Sequence, residues 1–183
     1  QKSIRDSRSP INELEDSPEQ SALYRFASLR FIPATMPKSC LHERSSKEAI
    51  EKGLRFQPKF DADGLIPCIA TDAQSNEVLM FAFMNREALE HTIETGKVTY
   101  FSRSRGKLWV KGETSGQVQK LVELRTDCDQ DVILCKAEIV EIGASCHNGY
   151  RSCFYRKLDS RSGELVFDGG DPLFDPEEVY GKG

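Results

Sequence analysis

The residues able to do chemistry crowd into one stretch, residues 126–155. It holds Asp127-Cys128-Asp129-Gln130-Asp131, then Cys146-His147-Asn148-Gly149, then Cys153. Thiolates bind zinc, a borderline-soft cation, and three protein ligands leave a fourth position for a reacting water. Cys128, Cys146 and Cys153 can form such a set, although 17 residues separate the first two and six the second pair, unlike the compact C-x2-C knuckle of structural fingers. The competing reading is that they are small buried apolar residues, as free cysteines often are. That reading is preferred for Cys68 and Cys135, which stand inside apolar strands. In an extended strand, alternate side chains share a face, so Asp127, Asp129 and Asp131 would project together and Cys128 oppositely. Three such carboxylates repel by about 1 kcal/mol per pair at 4 Å in water and about 4 at an effective dielectric near 20. A hard divalent cation cancels that cost, and oxygen ligands suit magnesium rather than zinc. A solvated acidic turn is the bland alternative.

His147 is placed to be either a fourth zinc ligand or a general base. Asn148-Gly149 is a type I′ turn signal that can fold Cys146 back towards Cys153. Upstream, Lys111 with Gly112-Glu113-Thr114-Ser115-Gly116, and Ser102-Arg103-Ser104-Arg105, gather N–H groups, hydroxyls and cations that suit phosphate. Each alone is usually just a turn; together they point to a phosphorylated small molecule. Trp109 between them can stack on a base, though an aromatic residue in a strand is more often core.

These groups need a scaffold. The 183 residues have room for one catalytic domain with a real core. A net charge of −4 provides no broad basic field, which argues against a nucleic-acid partner. No apolar run approaches the ~18 residues of a membrane span, and the N-terminus lacks a secretory layout, so a soluble cytoplasmic protein without a membrane partner is expected. Under that expectation the six cysteines are thiols or metal ligands rather than a disulfide framework.

Residues 1–55 have the composition of an N-terminal extension, partly disordered or helical. Ser17-Pro18 can cap a helix carrying Leu23, Phe26 and Phe31, Ser45 or Ser46 can cap residues 47–52, and Met36 can mark an alternative start. The catalytic domain is read as 56–158 and a C-terminal tail as 159–183, with a short strand at 165–167. Strands are expected at 65–70, 78–84, 98–101, 108–111, 118–126 and 131–140, with 78–84 buried on both faces. Asn85 as N-cap, apolar Ala88, Leu89 and Ile93, and Gly96 as C′ define a helix. His91 within it is read as packed or solvated rather than a ligand.

Residues 60–67 (FDADGLIP), 84–89 (MNREAL), 100–105 (YFSRSR), 108–116 (LWVKGETSG), 127–131 (DCDQD) and 146–155 (CHNGYRSCFY) together resemble phosphoribosyl-AMP cyclohydrolase of histidine biosynthesis. The resemblance covers about 60–157. It implies hydrolysis of the purine N1–C6 bond of phosphoribosyl-AMP, giving the formimino-aminoimidazole carboxamide ribonucleotide. It also implies zinc ligands Cys128, Cys146 and Cys153, and magnesium ligands Asp127, Asp129 and Asp131. A fold of mainly β (α+β) character follows, a twisted β-sheet or barrel-like domain with one or two short helices. It would form an intertwined homodimer whose zinc ligands come from both subunits. Zinc-activated water would attack C6, with His147 carrying protons, while Arg103, Ser104, Lys111, Thr114 and Ser115 contact substrate phosphate and ribose. The chain departs from the family pattern at Val110 and Gln117, where His is frequent. Its length implies the monofunctional form. Two rivals remain: another zinc-dependent nucleotide deaminase, whose H-x-E and P-C-x-x-C signature is absent, and a non-catalytic module in which zinc clamps a dimer.

Overall fold

Two antiparallel hairpins laid side by side make the centre of the fold. The computed structural model describes residues 40–181; the helix expected after Ser17 and the Met36 start lie outside the described residues. Strand β1 (Leu65–Asp72) pairs with β2 (Val78–Asn85), and β5 (Gln119–Thr126) pairs with β6 (Ile133–Ile139). β1 and β6 meet in parallel at the middle, giving the order β2-β1-β6-β5. The sheet is open, with β2 and β5 at its edges, so the barrel-like expectation is corrected while the mainly-β character stands.

Helix α1 (Lys47–Lys52) starts where the Ser46 hydroxyl accepts the Ala49 N–H, and α2 (Arg86–Thr95) where Asn85 does the same for Ala88. Gly96 ends α2 in the left-handed conformation that an L side chain resists. Ala88, Leu89 and Ile93 of α2 pack with Ile66, Met84, Ile133 and Tyr100 in one core. There the Cys68 and Cys135 sulfurs lie 3.7 Å apart as buried thiols, as expected for small apolar residues. His91 Nδ1 meets Thr99 Oγ1 at 2.8 Å, a packing role.

A ribbon of β3 (Thr99–Ser102) and β4 (Lys107–Val110) runs alongside β2, and a second ribbon joins β7 (Arg156–Leu158) to β8 (Leu165–Phe167). Helix α3 (Pro176–Tyr180) follows. Among the described residues no helix is long and apolar enough to cross a membrane.

The 78–84 strand is not buried on both faces: β2 is an edge, and Phe81 is 48% exposed. Because β1 and β6 run in parallel, they start at one end of the sheet and finish at the other. Seven-residue β6 spans about 20 Å at a strand's rise of 3.3 Å per residue. The turn between β5 and β6 lies at the starting end, and the segment after β6 docks towards the finishing end.

Candidate functional site

The starting end carries the carboxylates, and they sit on a turn rather than on a strand. Thr126 closes β5, and Asp127 Oδ1 accepts the backbone N–H groups of Asp131 at 3.0 Å and Val132 at 3.1 Å. Gln130 adopts a φ of 60° and donates its N–H to the Asp127 carbonyl. This closure, not strand alternation, brings one ligand atom each of Asp127, Asp129 and Asp131 within 4.8 Å of one another. Burial pushes the Asp127 carboxyl up, but N–H donation from Val132 and Asp131 outweighs it and holds the group below the usual range.

Sequence reasoning missed three residues that organise this end. Lys59 Nζ lies 3.2 Å from Asp131 Oδ2 and 3.9 Å from Asp129 Oδ2. With both partners exposed, each pairing contributes at most about 1 kcal/mol. The buried Gln130 side chain accepts the Gln57 N–H at 2.6 Å and donates to the Ile50 and Arg55 carbonyls at 3.2 Å each. Arg44 Nη1 donates to the carbonyls of Gln57 at 2.9 Å and Asp129 at 3.1 Å. Three hard, solvent-accessible oxygen donors fit a cation such as magnesium, which keeps several waters.

The finishing end carries two sulfurs. Ser145 and Cys146 donate N–H groups to the carbonyls of Arg151 and Tyr150, both at 3.0 Å, and Gly149 donates to Cys146 at 3.1 Å. The turn is therefore centred on His147 and Asn148. Only Gly149 in it has a left-handed φ, 84°, so it is not the type I′ turn expected at Asn148-Gly149.

Distant elements hold this hairpin. Ser152 Oγ donates to the Val78 carbonyl, and the Cys153 N–H to that of Leu79, both at 2.7 Å. Arg151 pairs with Asp72 and Glu77, each at 2.9 Å. From the core, the buried Tyr100 hydroxyl donates to Gln119 Oε1 at 2.7 Å, and Gln119 Nε2 donates to Ser145 Oγ at 2.8 Å. From behind, Tyr155 stacks on Tyr150 with ring centres 3.9 Å apart, and Phe167 of β8 continues the stack at 6.0 Å. The Leu173 N–H reaches the Gly149 carbonyl at 2.8 Å.

Cys146 and Cys153 face each other across the hairpin near enough for Cys146 to act on the Cys153 thiol. Cys153 is exposed as a residue, yet partial burial of its sulfur, with Cys146 beside it, pushes the thiol up to about 12. A metal bound there must displace protons. Soft paired sulfurs fit zinc. His147 is exposed at the hairpin tip. Cys128 is also exposed, but on the carboxylate turn; among the described residues only the aspartate trio brings three donors together.

Lys111 is buried, not a surface hook: burial lowers its pKa, and Cys153 and Cys146 act against that shift. Thr114 and Ser115 lie on a separate turn closed by Gly116 N–H to the Gly112 carbonyl at 2.8 Å. Next to it, buried Gln117 keeps an amide oxygen without a hydrogen-bond partner among the described residues. Arg103 and Ser104 are exposed on the β3–β4 turn.

A model of phosphoribosyl-AMP cyclohydrolase matches residues 80–155. A protein of that name from Bradyrhizobium diazoefficiens is 59% identical over 135 residues, covering 73% of this chain and 95% of the relative. One from Nitrobacter hamburgensis is 56% identical over 141 residues, 75% and 95% of the two chains. The chain belongs to the phosphoribosyl-AMP cyclohydrolase family. The residues matched by the cyclohydrolase model include both the carboxylate turn and the thiol hairpin. Lys59 and Arg44 before them, and the Phe167 brace after them, fall outside that match.

Proposed function

We propose that the chain hydrolyses the purine N1–C6 bond of phosphoribosyl-AMP, and that it works as a homodimer. The observation that carries this reading is the placement of Cys146 and Cys153 on one braced hairpin, in a chain 59% identical over 135 residues to a named cyclohydrolase. Cys146 and Cys153 would hold zinc with Cys128 of a second copy, because within one chain Cys128 stands on the turn at the other end of the sheet. Exposed apolar residues on the β2 edge and the β7–β8 ribbon, Phe81, Leu158, Leu165 and Phe167, support a second copy covering them. Asp127, Asp129 and Asp131 would hold magnesium.

Bound zinc supplies the Lewis acidity that makes a water nucleophilic near neutral pH. His147, next to Cys146, takes a proton from the attacking water and delivers it to N1 as the C6–N1 bond breaks. The water oxygen becomes the carboxamide oxygen on C6, and N1 leaves protonated. Arg103, Ser104, Lys111, Thr114 and Ser115 serve the phosphate and ribose oxygens, Lys111 from its buried position.

The test is the purified chain with zinc, magnesium and phosphoribosyl-AMP, followed by ultraviolet absorbance. Ring opening is the expected result. Zinc-dependent dimers without any ring opening would overturn it in favour of a structural clamp.

A further inference from the structure

We propose that the cavity between Phe83 of β2 and Trp109 of β4, rimmed by the β3–β4 turn, seats a purine nucleotide, with the base on those rings and phosphate on Arg103 and Arg105. This rests on the reading above and adds which groups touch which part of the substrate.

The cavity measures about 550 Å³, a size that encloses a mononucleotide rather than a polymer. Its two rings are braced from behind. Phe81 meets Phe83 edge-on at 5.2 Å and 80°, and fully buried Tyr100 lies 5.6 Å behind Trp109. Over these rings stand two cations: the Arg103 guanidinium is 4.1 Å from the Phe83 ring centre, and that of Arg105 is 6.0 Å from Trp109. Neither pairs with a carboxylate among the described residues.

Hydroxyls complete the rim. Arg105 Nε donates to Ser102 Oγ at 3.1 Å, and Ser104 Oγ lies 3.5 Å from Ser102 Oγ. Two flat apolar faces beside two uncompensated guanidiniums and two hydroxyls complement a flat heteroaromatic carrying phosphate. In a chain of net charge −4, these cations are a local feature and not part of a basic field. Arg103 covers the Phe83 face that the base would use. An exposed cation–π contact is weak beside a charge-assisted bond to phosphate, so base entry transfers the guanidinium from ring to phosphate.

Trp109 is the only tryptophan in the chain, so its fluorescence reports on this cavity alone. Full-length protein titrated with AMP should show saturable quenching, adenosine should bind more weakly, and inorganic phosphate should compete without quenching. Phe83→Leu should weaken AMP roughly fivefold to a hundredfold, with Phe83→Tyr restoring it. Arg103→Gln, on an exposed turn where folding is not at stake, should weaken AMP roughly tenfold or more. No quenching by AMP, or quenching unchanged in Arg103→Gln and in folded Phe83→Leu, overturns the proposal. KM for phosphoribosyl-AMP separates the two readings. Wild-type ring opening with KM unmoved in these variants sinks the cavity assignment alone. Absence of wild-type ring opening sinks the reaction, and the AMP titration then judges the cavity by itself.

Discussion

At one end of the sheet, three carboxylates are gathered by a single turn whose own N–H groups hold Asp127 in place. At the other, two sulfurs are gathered by contacts from β2, from the Tyr100–Gln119 pair in the core and from residues 167–174 near the C-terminus. The carboxylate trio is closed within its own turn, with Lys59, Arg44 and the flank at 50–57 fastened onto it from outside. The thiol pair depends on much of the fold, and under the reading proposed above its third sulfur would be Cys128 on the carboxylate turn of a second copy. A ligand set that one loop completes can work in a single copy, whereas a set divided between the ends of a sheet, as proposed for the cysteines, would require two.

The sharpest way to break that contrast is complementation. Cys128→Ser and Cys146→Ser should each lose zinc and essentially all ring opening. Mixed and reassembled, they should recover up to about a quarter of wild-type activity, because half the dimers carry one intact site. No recovery would return all three cysteines to one chain. Asp129→Asn should lower activity roughly tenfold or more while zinc content, measured by elemental analysis, stays unchanged; joint loss of zinc would mean the two ends are not separate sites.

A further substitution probes the braced hairpin. A Cβ on Gly149 would stand 2.3 Å from the Phe174 carbonyl oxygen at a left-handed φ. Gly149→Ala should therefore cost about 1–3 kcal/mol in thermal or urea unfolding and weaken zinc retention, with magnesium binding at the far end intact. The smallest effect concerns acid. Burial raises the pKa of Asp72, but Ser75, Gln74 and Arg151 outweigh it and leave the carboxyl below its usual value. A carboxyl depressed in the folded state contributes stability above its unfolded pKa of about 3.9, and that contribution is lost as pH falls through the lower folded value. Asp72→Asn should thus destabilise the chain at pH 7 and make unfolding less sensitive to pH below about 4. An unchanged acid profile would remove Asp72 from the anchoring of Arg151.

Sequence made the framework legible where the signals are local. The cap at Asn85, the stop at Gly96 and the apolar runs of β1 and β6 say where elements begin and end without knowledge of their neighbours. The alternation in DCDQD misled because a hairpin turn can converge three acids as well as a strand can, and nothing in Gln130 announces partners at Gln57, Ile50 and Arg55. β2 read as buried because its apolar run does not distinguish a central strand from an edge strand. The barrel expectation failed for a related reason: composition does not reveal whether edges close. Lys59 was invisible because its acids lie some 70 residues away.

The Gln130 side chain leaves one more mark on the molecule. Its amide fastens the flank at 50–57 to the carboxylate turn, so the Gln57 N–H cannot meet solvent until that fastening opens. The exchange rate of that single backbone amide far back in the chain therefore measures how often the flank lifts off the carboxylate turn.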